Sequence, residues 1–291
     1  MMSQDPSMKF WLMLLLSLPA PAQSLTGVID MHAHCDPDSM PRSIDGLALA
    51  RLAQARGMRG IVLKNHYEST AGLAFLARQA APGLEVFGGI ALNRAVGGIN
   101  PAAVEQMTRV KGGWGRIVWM PTFDAENQVR KAGEERPFVA VTREGRLLPE
   151  VKEVLALIAR NNLTLATGHL SPAEVLLLIG EAKQAGVRRI VVTHAMLAPV
   201  EMNIEQMRRA AAMGAWIEFV RNAQVAAYAA AIRAIGPQHV IVTSDLGQAT
   251  NPLHPDGLRS FLQALREQGL TQAELDQMTK DNPAAALGLT R

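Results

Sequence analysis

Asp30-Met31-His32-Ala33-His34 follows directly on the apolar segment Leu25–Ile29. Side chains alternate faces along a strand, so His32 and His34 point the same way and can offer two imidazole nitrogens to one ion. Three later apolar runs also end in a residue of metal-ligand type. Leu163–Thr167 precedes Gly168-His169, Arg189–Thr193 precedes His194, and His239–Ser244 precedes Asp245. A parallel barrel brings such positions together, because the carboxyl ends of all its strands face one mouth.

The elements that must carry these residues are visible as apolar β-type runs alternating with helical patterns. Strands are expected near Val28–His32, Gly60–Asn65, Glu85–Leu92, Arg116–Met120, Thr164–Thr167, Arg189–Thr193, Ala215–Phe219 and Val240–Ser244. Amphipathic helices are expected near Ile44–Arg56, Thr70–Ala80, Pro101–Lys111, Leu148–Arg160, Pro172–Gln184, Ile204–Met213, Ala223–Ile235 and Gly257–Gln268. The order predicts an α/β fold, a (βα)8 TIM barrel. Ser171-Pro172-Ala173-Glu174 combines an N-cap, a proline at the first helical position and a capping-box glutamate, which makes Glu174 structural. Asp124–Pro149 interrupts the rhythm after the fourth strand. Val139–Val141 and Arg146–Leu148 around Glu144-Gly145 suggest a hairpin, placed either as a lid over the mouth or as a surface excursion. Leu270–Arg291 reads as a final packing helix.

Residues 1–22 read as a signal peptide and residues 23–291 as one barrel domain. Phe10–Leu18 is apolar but too short to span a bilayer, Lys9 precedes it, and Ala20-Pro21-Ala22 supplies a small-x-small cleavage pattern. Export to a bacterial periplasm, without stable membrane insertion after cleavage, is the resulting expectation. Removing residues 1–22 takes away Lys9 and Asp5, so the formal charge stays at +3. That value, with no lysine- or arginine-rich run, argues against a nucleic-acid partner. The expected partner is a small-molecule substrate, and homo-oligomer formation stays open. Cys35 is the only cysteine, which excludes an intrachain disulfide.

The set His32-x-His34, His169, His194 and Asp245 resembles the amidohydrolase superfamily of metal-dependent hydrolases. Leu63-Lys64-Asn65-His66, Gly88-Gly89-Ile90, Trp119-Met120-Pro121-Thr122, Gly168-His169-Leu170-Ser171 and Ser244-Asp245-Leu246-Gly247-Gln248 are similar to a bacterial branch of it known only as a domain of unknown function. The resemblance implies a divalent metal centre of one or two ions, zinc first given the imidazoles, with His32, His34, Lys64, His169, His194 and Asp245 as its residues. Many binuclear members bridge their metals from strand 4, where this chain has no ligand. Lys64 on strand 2 is then either a carboxylated bridge, a cation for a substrate anion, or half of a structural ion pair. Asp245 is expected to orient and deprotonate a water whose pKa the ion lowers toward about 7, with the metal or His194 polarising the scissile carbonyl. His66 and Trp119 are candidate substrate contacts, and Glu218 either orients a ligand or is simply structural. The implied reaction is hydrolysis of an amide, ester, lactone or cyclic amide. The alternatives are a metal-dependent decarboxylase and a non-catalytic periplasmic binding protein.

The export reading has a direct check. Mass spectrometry of the protein from its native host is expected to show a terminus near Gln23, and a cytoplasmic chain that begins at Met1 or Met8 would overturn it.

Overall fold

The computed structural model describes residues 23–290, so the signal-peptide segment 1–22 lies outside the described residues. Eight parallel strands follow one another in a single sheet: β1 Ile29–His34, β2 Gly60–Lys64, β3 Glu85–Ala91, β4 Gly115–Trp119, β5 Thr164–Ala166, β6 Arg189–Val192, β7 Trp216–Val220 and β8 Val240–Thr243. Their spatial order is their chain order, the signature of successive right-handed βα units closing into a (βα)8 barrel. The helices are α1 Gly46–Ala55, α2 Ala71–Ala80, α3 Pro101–Arg109, α4 Glu126–Lys131, α5 Pro149–Arg160, α6 Pro172–Gln184, α7 Ile204–Ala212, α8 Val225–Ile235 and α9 His254–Glu267. The expected capping box starts α6, with Ser171 Oγ accepting from the Glu174 amide and the Glu174 carboxylate accepting from the Ser171 amide at 3.0 Å. No helix among the described residues is long and apolar enough to cross a membrane.

Two apolar layers hold the barrel. Leu63, Val86, Val118, Leu165, Val192 and Val242 face the surrounding helices, while Ile29, Met31, Val62, Phe87, Ile117, Trp119, Val191 and Ile241 fill the lumen. The C-terminal segment closes the amino-terminal end. It breaks into α10 Gln272–Asp276, a π-helical turn Gln277–Asp281 and α11 Asn282–Leu287, and Ala284, Ala286 and Leu287 plug the lumen from below. Buried Asn282 donates to the Val240 carbonyl at 2.6 Å, which ties this plug to the foot of β8.

The insertion after β4 contains the expected hairpin, with its first arm starting at Thr142, directly after the apolar run Val139–Val141, and its second at Arg146 as expected. Thr142–Arg143 pairs with Arg146–Leu147, and Glu144 and Gly145 both have positive φ, the type I′ geometry that matches strand twist. Val139 is drawn instead into a bridge with Ala125. Val141 and Leu147 are buried in the outer core, so the hairpin is pinned to the barrel's flank. The part of the insertion that reaches the mouth is α4.

Barrel closure between β1 and β8 uses a side chain where ladder bonds run out. Asp30 Oδ1 accepts from the Ser244 amide at 3.0 Å, from the His32 amide at 3.2 Å and from the Thr243 hydroxyl. The Asp245 amide donates to the His32 carbonyl at 2.9 Å and the His34 amide to the Leu246 carbonyl at 2.8 Å. Losing the Asp30 carboxylate strands several buried donors, each at about 1–3 kcal/mol. Asp30→Ala is therefore expected to lower unfolding free energy by about 3 kcal/mol in a denaturant titration, and an unchanged midpoint would show that the seam closes without it.

Candidate metal centre and active site

The alternation of β1 resets before it reaches the mouth. Ile29 and Met31 point into the lumen, yet Ala33 and Cys35 pack into the outer core, and the pairing with β2 shifts register between Asp30 and Ala33. This irregularity lets Met31 and His32 both serve the interior, so that His32 and His34 stand above the apolar filling. His32 Nε2 lies 3.0 Å and His34 Nε2 3.2 Å from Asp245 Oδ1. These three residues can present donor atoms all within 4.8 Å of one another. From the neighbouring strand ends, His169 Nε2 and His194 Nε2 approach to 3.1 Å. Lys64 at the end of β2 is buried and places Nζ 2.8 Å from His32 Nε2.

Outer partners aim these rings. Glu218 on β7 receives His32 Nδ1 at 3.3 Å on each carboxylate oxygen and accepts the His194 amide at 2.9 Å. The orienting role and the structural role considered for Glu218 thus coincide. Gln128 Oε1 on α4 accepts from His169 Nδ1 at 2.8 Å. With Nδ1 acting as donor, the neutral His169 ring keeps its Nε2 lone pair toward the centre, and His32 does the same once its second proton is displaced. His254 donates from Nε2 to the His34 carbonyl at 2.8 Å, so it steadies β1 and is no ligand.

The backbone is specialised at the same points. His194 and Asp245 have φ of 23° and 51°, rare for residues with a Cβ and common where surrounding structure over-determines a functional side chain. At Gly168, φ is +61° and a Cβ would collide with the Met120 and Pro121 carbonyls. The glycine is what lets His169 turn inward after β5.

Electrostatically the centre seeks a cation. Burial alone would lower the His32 pKa, but the Asp245 and Glu218 carboxylates outweigh it and raise the value to about 9 despite Lys64. Burial pushes His34 down to about 3 and Lys64 down to about 8. Burial likewise lowers His169 and His194. It would raise Asp245, yet His32 and His34 hold that carboxyl well below its ordinary value. One protonated imidazole among neutral ones and an ionised carboxylate occupies the charge position that a divalent ion would take. The donor set, imidazole nitrogens with one carboxylate, suits zinc or a similar first-row ion.

His34, Lys64, His66, His169, His194 and Asp245 line a cavity of about 330 Å³ at the mouth, and buried His32 forms its base. A larger groove, about 740 Å³, runs between α6 and α7 on the outside and contains none of these residues. Trp119 is absent from the cavity wall. Its position at the end of β4 puts the ring one layer deeper, in the lumen core, 6.2 Å from the His32 ring and 5.4 Å below Lys64 Nζ. It serves as an apolar floor. Sequence reasoning missed Gln128 and Arg42, both in the wall, whereas Phe123, readable from the sequence as apolar wall or plain core, does line it. Gln128 and Arg42 come from a six-residue helix and a loop with no periodic pattern, and only their polarity beside strand-end motifs could have pointed to them.

A family of unknown function, DUF6282, matches residues 27–218. The chain belongs to the DUF6282 family. The matched stretch holds both strand-1 histidines, Lys64, His66, His169 and His194, whereas Asp245 lies beyond it. No curated protein matches this DUF6282 chain. Among solved structures it is similar to an organophosphorus hydrolase from Deinococcus radiodurans, at 18% identity and TM-score 0.60, covering 92% of this chain and 96% of that one. A chain from work on engineering organophosphate hydrolysis in a weak promiscuous lactonase template aligns at 17% identity and TM-score 0.59, over 92% and 100%. A chain provisionally described as a 2-pyrone-4,6-dicarboxylic acid hydrolase from Pseudomonas putida aligns at 17% and 0.57, over 91% and 98%. At these identities the likeness establishes a shared barrel for the DUF6282 chain.

Outer partners of metal-binding histidines typically contribute 10–100-fold in metal affinity. Glu218→Gln is expected to weaken the binding of an added divalent ion, followed by chelator competition, by at least about tenfold; unchanged affinity would remove Glu218 from the orientation of His32.

Proposed function

We propose that this protein is a metal-dependent hydrolase of the amidohydrolase type, acting on an amide, ester, lactone or cyclic amide after export to the periplasm. The observation that carries the reading is the convergence of His34, His169, His194 and Asp245 on one strand-end cavity, with buried His32 against Asp245. The solved structures of similar fold include hydrolases of organophosphates and of a pyrone dicarboxylate, which supports the class without naming a substrate. Export rests on the sequence of residues 1–22.

His32, His34 and Asp245 would hold one ion, and His169 with His194 the same ion or a second. When bound, such an ion supplies Lewis acidity and a water of lowered pKa. The protein's own groups do the rest. Asp245 has one oxygen engaged by His32 and His34, and its side chain is 22% exposed, so it alone among the ionised carboxylates of the centre can take a proton from the cavity and return it to a leaving group. His194 is kept neutral by burial and so suits donation or acceptance of a hydrogen bond at the carbonyl without adding charge. Glu218 and Gln128 hold the rings in register throughout. Phe123 stacks on His66 with ring centroids 3.9 Å apart and walls off water on one side.

Lys64, once carboxylated, would serve as a further anionic ligand in this reading. Its lowered pKa leaves more free amine for reaction with carbon dioxide, and no strand-4 ligand competes for the role.

The test is metal analysis of the purified protein, with an activity screen over matched amides, esters, lactones and phosphotriesters before and after chelation. Chelator-sensitive turnover restored by zinc is expected; full metal loading without turnover would point to the binding-protein alternative, and carbon dioxide release without hydrolysis to the decarboxylase. Lys64→Ala is expected to lose a metal equivalent and about 10²-fold or more in turnover, with partial recovery on adding short carboxylates. Intact metal content and intact kinetics would make Lys64 structural.

A further inference from the structure

The cavity wall contains two groups outside the metal centre that keep N–H donors in reserve. Arg42, in the loop after β1, has a side chain only 3% exposed and lines the cavity. Its Nε and Nη2 both lie 2.7 Å from the same oxygen, Oδ2 of fully buried Asp38. Nη2 is buried and makes no well-formed hydrogen bond. One carboxylate oxygen therefore anchors one edge of the guanidinium, and among the described residues the other N–H groups have no acceptor. The loop is held in place, since the Ser43 amide donates to the Gly247 carbonyl at 2.9 Å and Arg42 bridges Gln248 across the mouth.

His66 is the second group, and its neighbours fix its tautomer. Asn93 Oδ1 accepts the Thr122 and Asp124 amides at 2.8 and 3.1 Å, so Nδ2 is the end that donates to Thr122 Oγ1 at 2.6 Å. The buried Thr122 hydroxyl then has one acceptor for its own hydrogen, His66 Nδ1 at 2.8 Å. The proton of the neutral ring accordingly sits on Nε2. Stacking between Phe123 and His34 holds the ring plane. Asp245 is the single carboxylate side chain in the wall and is committed to His32 and His34, and Arg42 is a cation whatever the state of Lys64.

We propose that Arg42 and His66 form a subsite for the anionic group of a small carboxylate-bearing substrate, with Arg42 supplying the charge and His66 Nε2–H the direction. This rests on the hydrolase reading for the fate of the substrate and not for its binding. Asp38 pairs one edge of the guanidinium, and the N–H groups left over on its planar fork suit a second carboxylate. The cavity of about 330 Å³ limits the ligand to a small molecule.

Calorimetric titration of the zinc-loaded protein with glutarate and with butyrate tests the binding directly, because either acid can present one carboxylate to an ion but only glutarate has a second. Glutarate is expected to bind at least tenfold more tightly. Arg42→Gln and Arg42→Lys are expected to erase most of that difference, the lysine variant less completely, and His66→Phe to reduce it, each with zinc content and thermal midpoint checked. Equal binding of the two acids, or a preference that survives in folded Arg42→Gln protein, overturns the subsite. In turnover, a lactone bearing a ring carboxylate is expected to exceed its neutral counterpart in kcat/KM, with the ratio falling at least tenfold in Arg42→Gln. Hydrolysis of neutral lactones with no glutarate preference would refute the subsite alone. Glutarate preference with no hydrolysis of any substrate would refute the hydrolase reading alone.

Discussion

The seam between the first and last strands is the constraint on which the site depends. His32 and His34 belong to the start of the barrel and Asp245 to its end, more than two hundred residues later. They meet only if the sheet closes with the correct stagger. Ladder pairing between these strands is reduced to the bridge Ala33–Leu246, so the Asp30 carboxylate substitutes for missing backbone acceptors by taking donors from both sides. A side-chain clamp of this kind sets register more narrowly than an apolar contact does, since a one-residue slip would leave buried N–H groups without partners.

Having assembled these side chains, the fold must keep them from neutralising each other. Four imidazoles, an ammonium and two carboxylates share a small buried volume, where unpaired polar groups are expensive. The arrangement resolves this by giving Nδ1 of two rings to Glu218 and Gln128, so that the inward nitrogens are left for the centre. The positive φ values at His194 and Asp245 belong to the same solution: both residues turn sharply off their strands to bring side chains back over the mouth.

The rest of the barrel divides its labour by layer. The lumen beneath the centre is sealed by Trp119, Phe87 and Met31, and its far end by the C-terminal plug. The loops above carry the features that differ most from a plain (βα)8 pattern: α4 with Gln128, the anchored Arg42 loop, and Phe123 against His66. A constant barrel with variable mouth loops is how this fold supports many chemistries.

Local physics made much of this legible without coordinates. Apolar runs of strand length alternating with amphipathic helices specify a (βα)8 order, because burial on both faces of a parallel strand demands continuous hydrophobicity and each crossover demands a helix. Ligand-type residues at the ends of four such runs place themselves at one mouth by topology alone, and Glu144-Gly145 marks its own turn through the positive φ that such a turn requires. Tertiary structure decided what no local pattern encodes. It sent Trp119 beneath the centre, because depth along the barrel axis depends on strand stagger. It laid the hairpin on the flank and brought α4 to the mouth, because Val141 and Leu147 find burial against the outer helices. It joined Asp30 to Ser244, Glu218 to His32 and Arg42 to Asp38, contacts whose partners are chosen by closure of the whole sheet and by the loops that closure brings together.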